Sequence, residues 1–188
     1  MSAKELVAKA ERYKEYFGRY GGVTVSGGEP LMQTEFVTEL FSLCHSHSIN
    51  TCIDTSGSII TSATDALLSV TDRVLLDVKY TTDEKYERYV GCSLKAPLAF
   101  LELLERKGVP TTVRQVIIPT LNDSENDVLE LKALIKPFSC VDGVELLPFK
   151  KICAVKYGNM GIPFPFEHIP TPTVEKMREL ERLISPQS

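Results

Sequence analysis

Apolar residues along this chain alternate between two spacings, and each spacing predicts a different element. Leu6, Ala10 and Phe17 recur at intervals of four and seven residues, which marks one face of a helix. Runs of β-branched residues such as Val23-Thr24-Val25 are typical of buried strands. The pattern predicts five strands, at residues 22–26, 51–54, 74–79, 113–118 and 144–148. It predicts helices over residues 3–17, around 36–43, after a Ser62-x-x-Asp65 capping box, around 98–107, around 128–135 and over 174–184.

The predicted strands are apolar on both faces and alternate with helices, which indicates an α/β fold with a parallel sheet covered by helices. Right-handed β/α units build either an open doubly wound sheet or a curved partial barrel, and the pattern alone favours neither. Residues 149–172 are rich in Pro, Gly and Phe and are predicted to form a long loop. No break in composition divides the chain, so residues 1–188 are expected to form a single domain.

Composition excludes several classes of protein. The net charge is −4 and no basic cluster is present, which argues against nucleic-acid binding. No apolar stretch approaches the roughly 20 residues of a membrane span. The five cysteines are odd in number and scattered, so we expect no disulfide framework and a reducing, cytoplasmic location. No two cysteines have the close spacing of a local metal site.

The first predicted strand ends in Ser26-Gly27-Gly28-Glu29, the most informative stretch of the chain. The two glycines lack a Cβ, so the backbone can turn sharply and approach a ligand closely. Glu29 places a carboxylate at the carboxyl end of a strand, where α/β folds bind small molecules. This arrangement suits a ligand ammonium such as that of an amino acid. A plain β-turn is the alternative interpretation.

Polar groups also lie at the ends of the other predicted strands, and the fourth strand carries an arginine. They are Asp54-Thr55-Ser56-Gly57, Asp77-Val78-Lys79, Arg114 and Lys150. Charges embedded in apolar strands need partners, and groups at equivalent strand ends converge on one pocket. Lys79 and Arg114 suit a carboxylate, which together with Glu29 describes an amino-acid-like zwitterion. The oxygens of Asp54, Thr55 and Asp77 suit a monovalent cation or Mg²⁺.

Each of these groups also has a purely structural interpretation. The Asp54–Gly57 stretch reads as a turn, Asp77 and Lys79 lie on one strand face and can pair with each other, and Arg114 can serve a structural ion pair. Their joint placement at strand ends favours a pocket. His45 and His47 are expected to be solvated cations at the end of a polar helix.

Five segments resemble the radical S-adenosylmethionine enzymes that activate glycyl-radical enzymes, and among them the branch acting on pyruvate formate-lyase. The segments are residues 21–29, 49–57, 70–79, 113–119 and 144–149. They follow the family's order at near-family spacing and cover essentially the whole chain. The resemblance implies a partial (β/α)₆ barrel that binds S-adenosylmethionine across the carboxyl ends of its strands.

The resemblance also implies roles for individual residues. Ser26, Gly27, Gly28 and Glu29 would engage the methionyl ammonium. The Asp77-Val78-Lys79 element would place Lys79, with Arg114, near the methionyl carboxylate, while Asp54 and Thr55 match a monovalent-cation site. In the family a 4Fe–4S cluster reduces S-adenosylmethionine to a 5′-deoxyadenosyl radical. That radical takes a hydrogen from a glycine of the partner, a glycyl-radical enzyme such as pyruvate formate-lyase.

The chain departs from the family pattern in two places. The family's three-cysteine cluster loop and first strand precede the helix predicted at residues 3–17, and this chain contains neither. We therefore expect a truncated radical S-adenosylmethionine domain, inactive by itself. Lys150 stands where the family usually has a histidine that contacts the nucleoside, and lysine cannot stack as imidazole does.

Three hypotheses remain open from the sequence. The chain is part of an activating enzyme; or it is a non-catalytic paralogue that binds S-adenosylmethionine or a glycyl-radical enzyme as a scaffold; or it is an unrelated barrel enzyme with Lys79 as a Schiff-base nucleophile. Codons for the cluster loop upstream of Met1 would favour the first over the second. Borohydride trapping of a carbonyl substrate on Lys79 would favour the third.

The segment Val23-Thr24-Val25 is expected to form an exposed sheet edge. It is apolar and contains neither lysine nor proline, the residues that commonly protect an edge strand. We therefore expect the isolated chain to aggregate or to associate with itself through this strand.

Overall fold

The computed structural model describes residues 1–184 and contains one parallel sheet with helices. Its strands are β1 (Gly22–Val25), β2 (Asn50–Thr55), β3 (Arg73–Asp77), β4 (Thr111–Ile117) and β5 (Val141–Pro148). Its helices are α1 (Ala3–Glu11), α2 (Lys14–Phe17), α3 (Thr34–Ser46), α4 (Thr64–Leu68), α5 (Asp83–Tyr89), α6 (Lys95–Lys107), α7 (Glu125–Ile135), α8 (Ala154–Asn159) and α9 (Val174–Ile184). Short 3₁₀ turns occupy Pro30–Gln33 and Lys151–Cys153.

The strands lie in the order in which they occur along the chain, β1-β2-β3-β4-β5, and every neighbouring pair is parallel. Right-handed crossovers in a constant direction place all connecting helices on one face of the sheet. Ile53, Val74 and Val113 are fully buried on that face, whereas Cys52 and Leu75 on the other face are only half-buried. This order is that of a partial barrel, which resolves the choice that the sequence left open.

Helix ends follow local signals in the sequence. Ser2 and Ser124 each form a capping box, the first with Glu5 and the second with Asp127. Helix α6 ends at Gly108, whose left-handed backbone (φ 64°) is the usual glycine signal for the end of a helix. None of the described helices has the length and hydropathy needed to cross a membrane.

Two predictions about helices are wrong, one about the length of a helix and one about where a helix starts. The helix expected over residues 3–17 divides at Arg12 and Tyr13, whose N–H groups bond three residues back to Lys9 and Ala10 and so tighten the end of α1. The capping box at Ser62 is also wrong. Instead, the Thr64 hydroxyl accepts the Thr61 N–H at 2.9 Å, and α4 starts without a side-chain cap.

Two elements were missed by the pattern. Helix α5 is short and polar with Tyr86 as its buried residue, so it shows no apolar stripe; its local signal is Thr82, whose side chain caps the Lys85 N–H. Segment 149–172 is partly ordered rather than a long loop, because α8 and a second small core fold it over β4 and β5. That core contains the buried residues Phe149, Phe164 and Ile169.

His45 and His47 are exposed at the end of α3, as expected, and each also contacts a carboxylate that the sequence did not indicate. His45 Nε2 lies 3.0 Å from an Asp72 oxygen, and His47 Nδ1 lies 2.5 Å from a Glu11 oxygen. The side chains are 37% and 41% exposed, so water still reaches them. The two contacts join the end of α3 to the start of β3 and to α1.

Strand β1 pairs with β2 and forms one edge of the sheet in the part of the chain that the structure describes. Thr24 in its centre is exposed and its neighbours Val23 and Val25 are half-buried. The position of this strand at an edge is as predicted. Association of chains through it remains a prediction.

We predict that Thr120→Gly stabilises the protein. Thr120 is exposed and holds a positive φ of 71°, which a β-branched residue rarely adopts, while its N–H donates to Asp123 Oδ1 at 2.8 Å. Glycine relieves about 1–2 kcal/mol of backbone strain and costs about 0.5–1 kcal/mol of unfolded-chain entropy. The expected net gain is about 0.5–1 kcal/mol, or ~2 °C in Tm, measured by thermal and urea unfolding.

Thr120→Ala is the matched control, because it removes the same side chain but keeps a Cβ at positive φ. It should show little gain. Equal stabilisation by alanine and glycine would contradict the assignment of strain to the backbone.

Candidate functional site

A cleft of about 500 Å³ lies at the carboxyl ends of β1 to β4, a size typical of small-molecule sites. It is lined by Ser26, Gly27, Gly28, Glu29, Asp54, Thr55, Ser56, Asp77, Lys79 and Arg114. The structure therefore brings together all the predicted site residues except Val78 and Lys150. Val78 is 1% exposed and packs in the core, while Lys150 is exposed beyond the end of β5. Ser56 lines the cleft although it was noted only as part of a strand-end motif.

The glycine turn after β1 leaves room at the mouth of the cleft. Gly27 has a φ of 122°, which side chains on L-residues rarely allow, so glycine is required here. A Cβ built on Gly27 or Gly28 would meet no atom within 4 Å. The turn thus exposes backbone N–H and C=O groups to a ligand without a side chain in between.

Glu29 is held in place by the end of the neighbouring strand. Its carboxylate accepts hydrogen bonds from the Thr55 hydroxyl (2.5 Å), the Ser56 hydroxyl (2.5 Å) and the Ser56 N–H (3.0 Å). It also accepts the Leu31 N–H at 3.1 Å, which begins the 3₁₀ turn that follows. These bonds fix a negative charge beside the glycine turn and tie the β1 loop to β2.

Four charged side chains form a continuous chain across β2, β3 and β4. Arg114 contacts both Asp54 and Asp77, with Nη2 3.0 Å from Asp77 Oδ1. Lys79 Nζ lies 2.6 Å from the other oxygen of Asp77. The side chains are 16–36% exposed, so the pairs are shielded from bulk water only in part.

The electrostatic balance of the cleft is slightly negative. Three carboxylates, of Glu29, Asp54 and Asp77, face the two cations Lys79 and Arg114, which leaves a net charge of about −1. Burial raises the pKa of Asp54 above its ordinary value, since desolvation and the nearby Asp77 outweigh the attraction of Arg114. The site therefore complements a ligand with one net positive charge.

The two residues of the predicted cation site, Asp54 and Thr55, each contact another side chain of the cleft. Asp54 faces Arg114, and the Thr55 hydroxyl donates to Glu29. Among residues 1–184 no three histidine, cysteine or carboxylate side chains group as a metal site. A monovalent cation at Asp54 and Thr55 remains a prediction.

The cysteines of this chain do not fit an iron–sulfur cluster. All five are free, and they lie on separate elements from α3 to the turn after β5. Within the described residues they do not come together as a ligand set, and such clusters need closely grouped thiolates. No chemical step is therefore assigned to a cluster held by these residues.

We predict that Asp54→Asn raises the free energy of unfolding at pH 7. The raised pKa means that ionised Asp54 is less favourable in the folded chain than in the unfolded one. The gain should shrink as the pH falls through the raised pKa and then below 3.8, the ordinary value, because the carboxyl group becomes protonated first in the folded and then in the unfolded state. Urea unfolding at pH 7, 5 and 4 measures the difference.

Asp142→Asn is a control for which we expect the opposite effect on the free energy of unfolding. The hydrogen bond from Arg73 lowers the pKa of Asp142, so its charge stabilises the fold above the ordinary aspartate value and loses this effect as the pH falls through the lowered pKa. This variant should be less stable than wild type at pH 7. A loss of stability at pH 7 for Asp54→Asn would contradict the first prediction.

Comparisons with known proteins match this geometry. A family model described as the Radical SAM superfamily matches residues 1–131. The pyruvate formate-lyase-activating enzyme of Clostridium pasteurianum is 37% identical over 98% of this chain and 77% of its own length. The pyruvate formate-lyase 1-activating enzyme of Escherichia coli K12 is 31% identical over 98% of this chain and 76% of its length.

A solved structure shows the same fold. It is a domain of a pyruvate-formate lyase-activating enzyme from Bacteroides vulgatus, which superposes with a TM-score of 0.69 at 18% identity. The match covers 87% of this chain and 92% of that domain. The strand order, the polar cleft at the strand ends and these matches agree: the chain belongs to the radical SAM superfamily of oxidoreductases and, within it, to the pyruvate formate-lyase-activating enzymes.

Proposed function

We propose that this chain is the S-adenosylmethionine-binding domain of an enzyme that activates a glycyl-radical enzyme of the pyruvate formate-lyase type. The observation that carries the proposal is the cleft at the strand ends, where groups for an ammonium and for a carboxylate lie side by side. Membership of the radical SAM superfamily supports S-adenosylmethionine as the amino-acid-like ligand. Residues 1–188 act as one domain, which the match to a solved domain of similar extent supports.

Charge and geometry assign one part of the ligand to each side of the cleft. Glu29 and the carbonyls of the glycine turn bind the methionyl ammonium, and Lys79 with Arg114 binds the carboxylate. The net charge of about −1 in the cleft offsets the single net positive charge of the sulfonium ligand. When bound, S-adenosylmethionine supplies the 5′-deoxyadenosyl group that the family uses for hydrogen abstraction.

The ligand carboxylate must compete with the site's own carboxylates. In the free protein Asp77 engages both Lys79 and Arg114, and Asp54 engages Arg114. The raised pKa of Asp54 indicates that burying this charge is unfavourable, which limits the cost of exchanging partners. The affinity for the ligand therefore depends on how much more favourable the ion pairs with the ligand carboxylate are than the ion pairs that Lys79 and Arg114 make with Asp77 and Asp54 in the free protein.

The dispersed cysteines favour a narrower function for these residues, one of binding without the reductive step. The residues of this chain bind S-adenosylmethionine and a glycyl-radical enzyme, and they do not by themselves carry out reductive cleavage. The same observation favours a second candidate, a non-catalytic protein that binds the ligand or the glycyl-radical enzyme as a scaffold. Free cysteines are consistent with a reducing cytoplasm as the location. A monovalent cation at Asp54 and Thr55 is part of this proposal.

We predict that Glu29→Ala, Lys79→Ala and Arg114→Ala each weaken S-adenosylmethionine binding by at least about tenfold. Removing one member of a shielded charge pair costs about 2–5 kcal/mol, part of which solvent screening removes. Isothermal titration calorimetry measures the dissociation constants. Lys4→Ala, on the exposed surface of α1, is the control for loss of a positive charge elsewhere. Wild-type affinity in all three variants would refute the proposed pocket.

We predict that this 188-residue polypeptide takes up no stoichiometric 4Fe–4S cluster. Anaerobic reconstitution followed by iron and sulfide analysis should give much less than one cluster per chain, because the thiols are not grouped. A variant with all five cysteines replaced by alanine should give the same iron content. A stoichiometric cluster that responds spectroscopically to S-adenosylmethionine would contradict the prediction.

A further inference from the structure

The backbone of Lys79 leaves the sheet just before its side chain enters the cleft. Just after β3, the Val78 N–H still donates a hydrogen bond to β4, at the Arg114 carbonyl, over 2.9 Å. The next N–H, that of Lys79, is half-buried and has no strand partner. A shielded backbone donor of this kind needs another acceptor.

The acceptor is the hydroxyl oxygen of Tyr86 on α5. The Lys79 N–H donates to it at 3.0 Å, and Tyr86 is only 2% exposed. The Tyr86 ring packs edge-on against Tyr80, with centroids 6.4 Å apart, so the hydroxyl is held in a fixed direction. Helix α5 thus contacts the backbone of a residue whose side chain lines the cleft.

The other side of the Lys79 peptide faces Asn122, in the loop between β4 and α7. Asn122 is 2% exposed, accepts the Ile118 N–H at 2.7 Å and donates to the Val116 carbonyl at 2.9 Å. Its Nδ2 also reaches the Lys79 carbonyl at 3.5 Å, a weak contact that adds to the confinement. The backbone of Lys79 is therefore contacted by α5 on one side and by the loop that follows β4 on the other.

Tyr86 cannot act on the ligand directly as an acid or a base at neutral pH. Its hydroxyl is directed at a backbone N–H, and Tyr86 itself is absent from the lining of the cleft. Burial raises the pKa of Tyr86 to about 12, so the phenol keeps its proton. Its contribution is to geometry alone.

We propose that Tyr86 is a positioning residue for the ligand site: its hydroxyl fixes the backbone of Lys79 and thereby the place of the Lys79 ammonium beside Asp77. The proposal rests on the proposed function, in which Lys79 binds the carboxylate of an amino-acid-like ligand. Without the hydroxyl, the Lys79 backbone moves more freely and the ammonium leaves Asp77 more often. The aromatic ring alone would maintain the core but not this contact.

A double-mutant cycle in the full chain tests the proposal. Tyr86→Phe keeps the ring and removes the hydroxyl, and it should weaken S-adenosylmethionine binding by about five- to tenfold, the size of one hydrogen bond. In a Lys79→Ala background the same change should have no further effect, since Tyr86 acts through Lys79. Tyr80→Phe is the matched control, a buried neighbour for which no hydrogen bond to Lys79 is found in residues 1–184. It should bind like wild type.

A second readout does not depend on ligand affinity. The rate at which an acylating reagent modifies Lys79 is followed by peptide mass spectrometry, with exposed Lys4 as the internal reference. Tyr86→Phe should raise the Lys79 rate relative to Lys4 several-fold, because the ammonium is less often paired with Asp77. Tyr80→Phe should leave the ratio unchanged.

The outcomes separate this proposal from the proposed function. If the chain binds no S-adenosylmethionine, the proposed function fails; if only Lys79→Ala binds as wild type does, the role of Lys79 in binding fails. In both cases the acylation ratio alone decides whether Tyr86 positions Lys79. An unchanged ratio in Tyr86→Phe overturns the positioning role. An equal loss of affinity with and without Lys79 also overturns it, because the effect is then a general one on the fold.

Discussion

The direct pairing of Asp77 with Arg114 across β3 and β4 is the constraint on which the cleft depends. Parallel register places Asp77, the last residue of β3, opposite Arg114 in the middle of β4. Asp77 also pairs with Lys79, two residues further along its own segment, and Arg114 reaches past β3 to Asp54 on β2. A shift of one residue in the register would turn these side chains to the helix-covered face and dissolve the site.

In the free protein, the charged side chains of the site are already in place and already paired with one another. Its cations are held in place by its own carboxylates, so they need little reorganisation to meet a ligand carboxylate. The same contacts compete with the ligand, and burial makes one of them, at Asp54, costly. A raised pKa at Asp54, in a cleft beside charged partners, marks the cleft as a candidate binding site.

Strand positions and strand-end chemistry were predictable because a parallel sheet with one buried and one half-buried face leaves largely apolar runs, in which charged residues stand out. Those ends identified Glu29, Asp54 and Arg114, and the structure places them together. What the sequence did not show depends on tertiary distance. Lys150 follows a strand yet lies outside the cleft, and Tyr86 reaches Lys79 from a helix without an apolar stripe.

Every charged group in the cleft is supported from an element other than its own. Glu29 follows β1 and is held by the end of β2; Lys79 follows β3 and is held by α5. Because each group is held by a neighbouring element, the geometry of the cleft depends on how the strands and helices pack together and not on any single loop. We therefore expect the loss of the Tyr86 hydroxyl in α5, like a change that loosens β2, to alter both the proposed ligand binding and the stability of the fold.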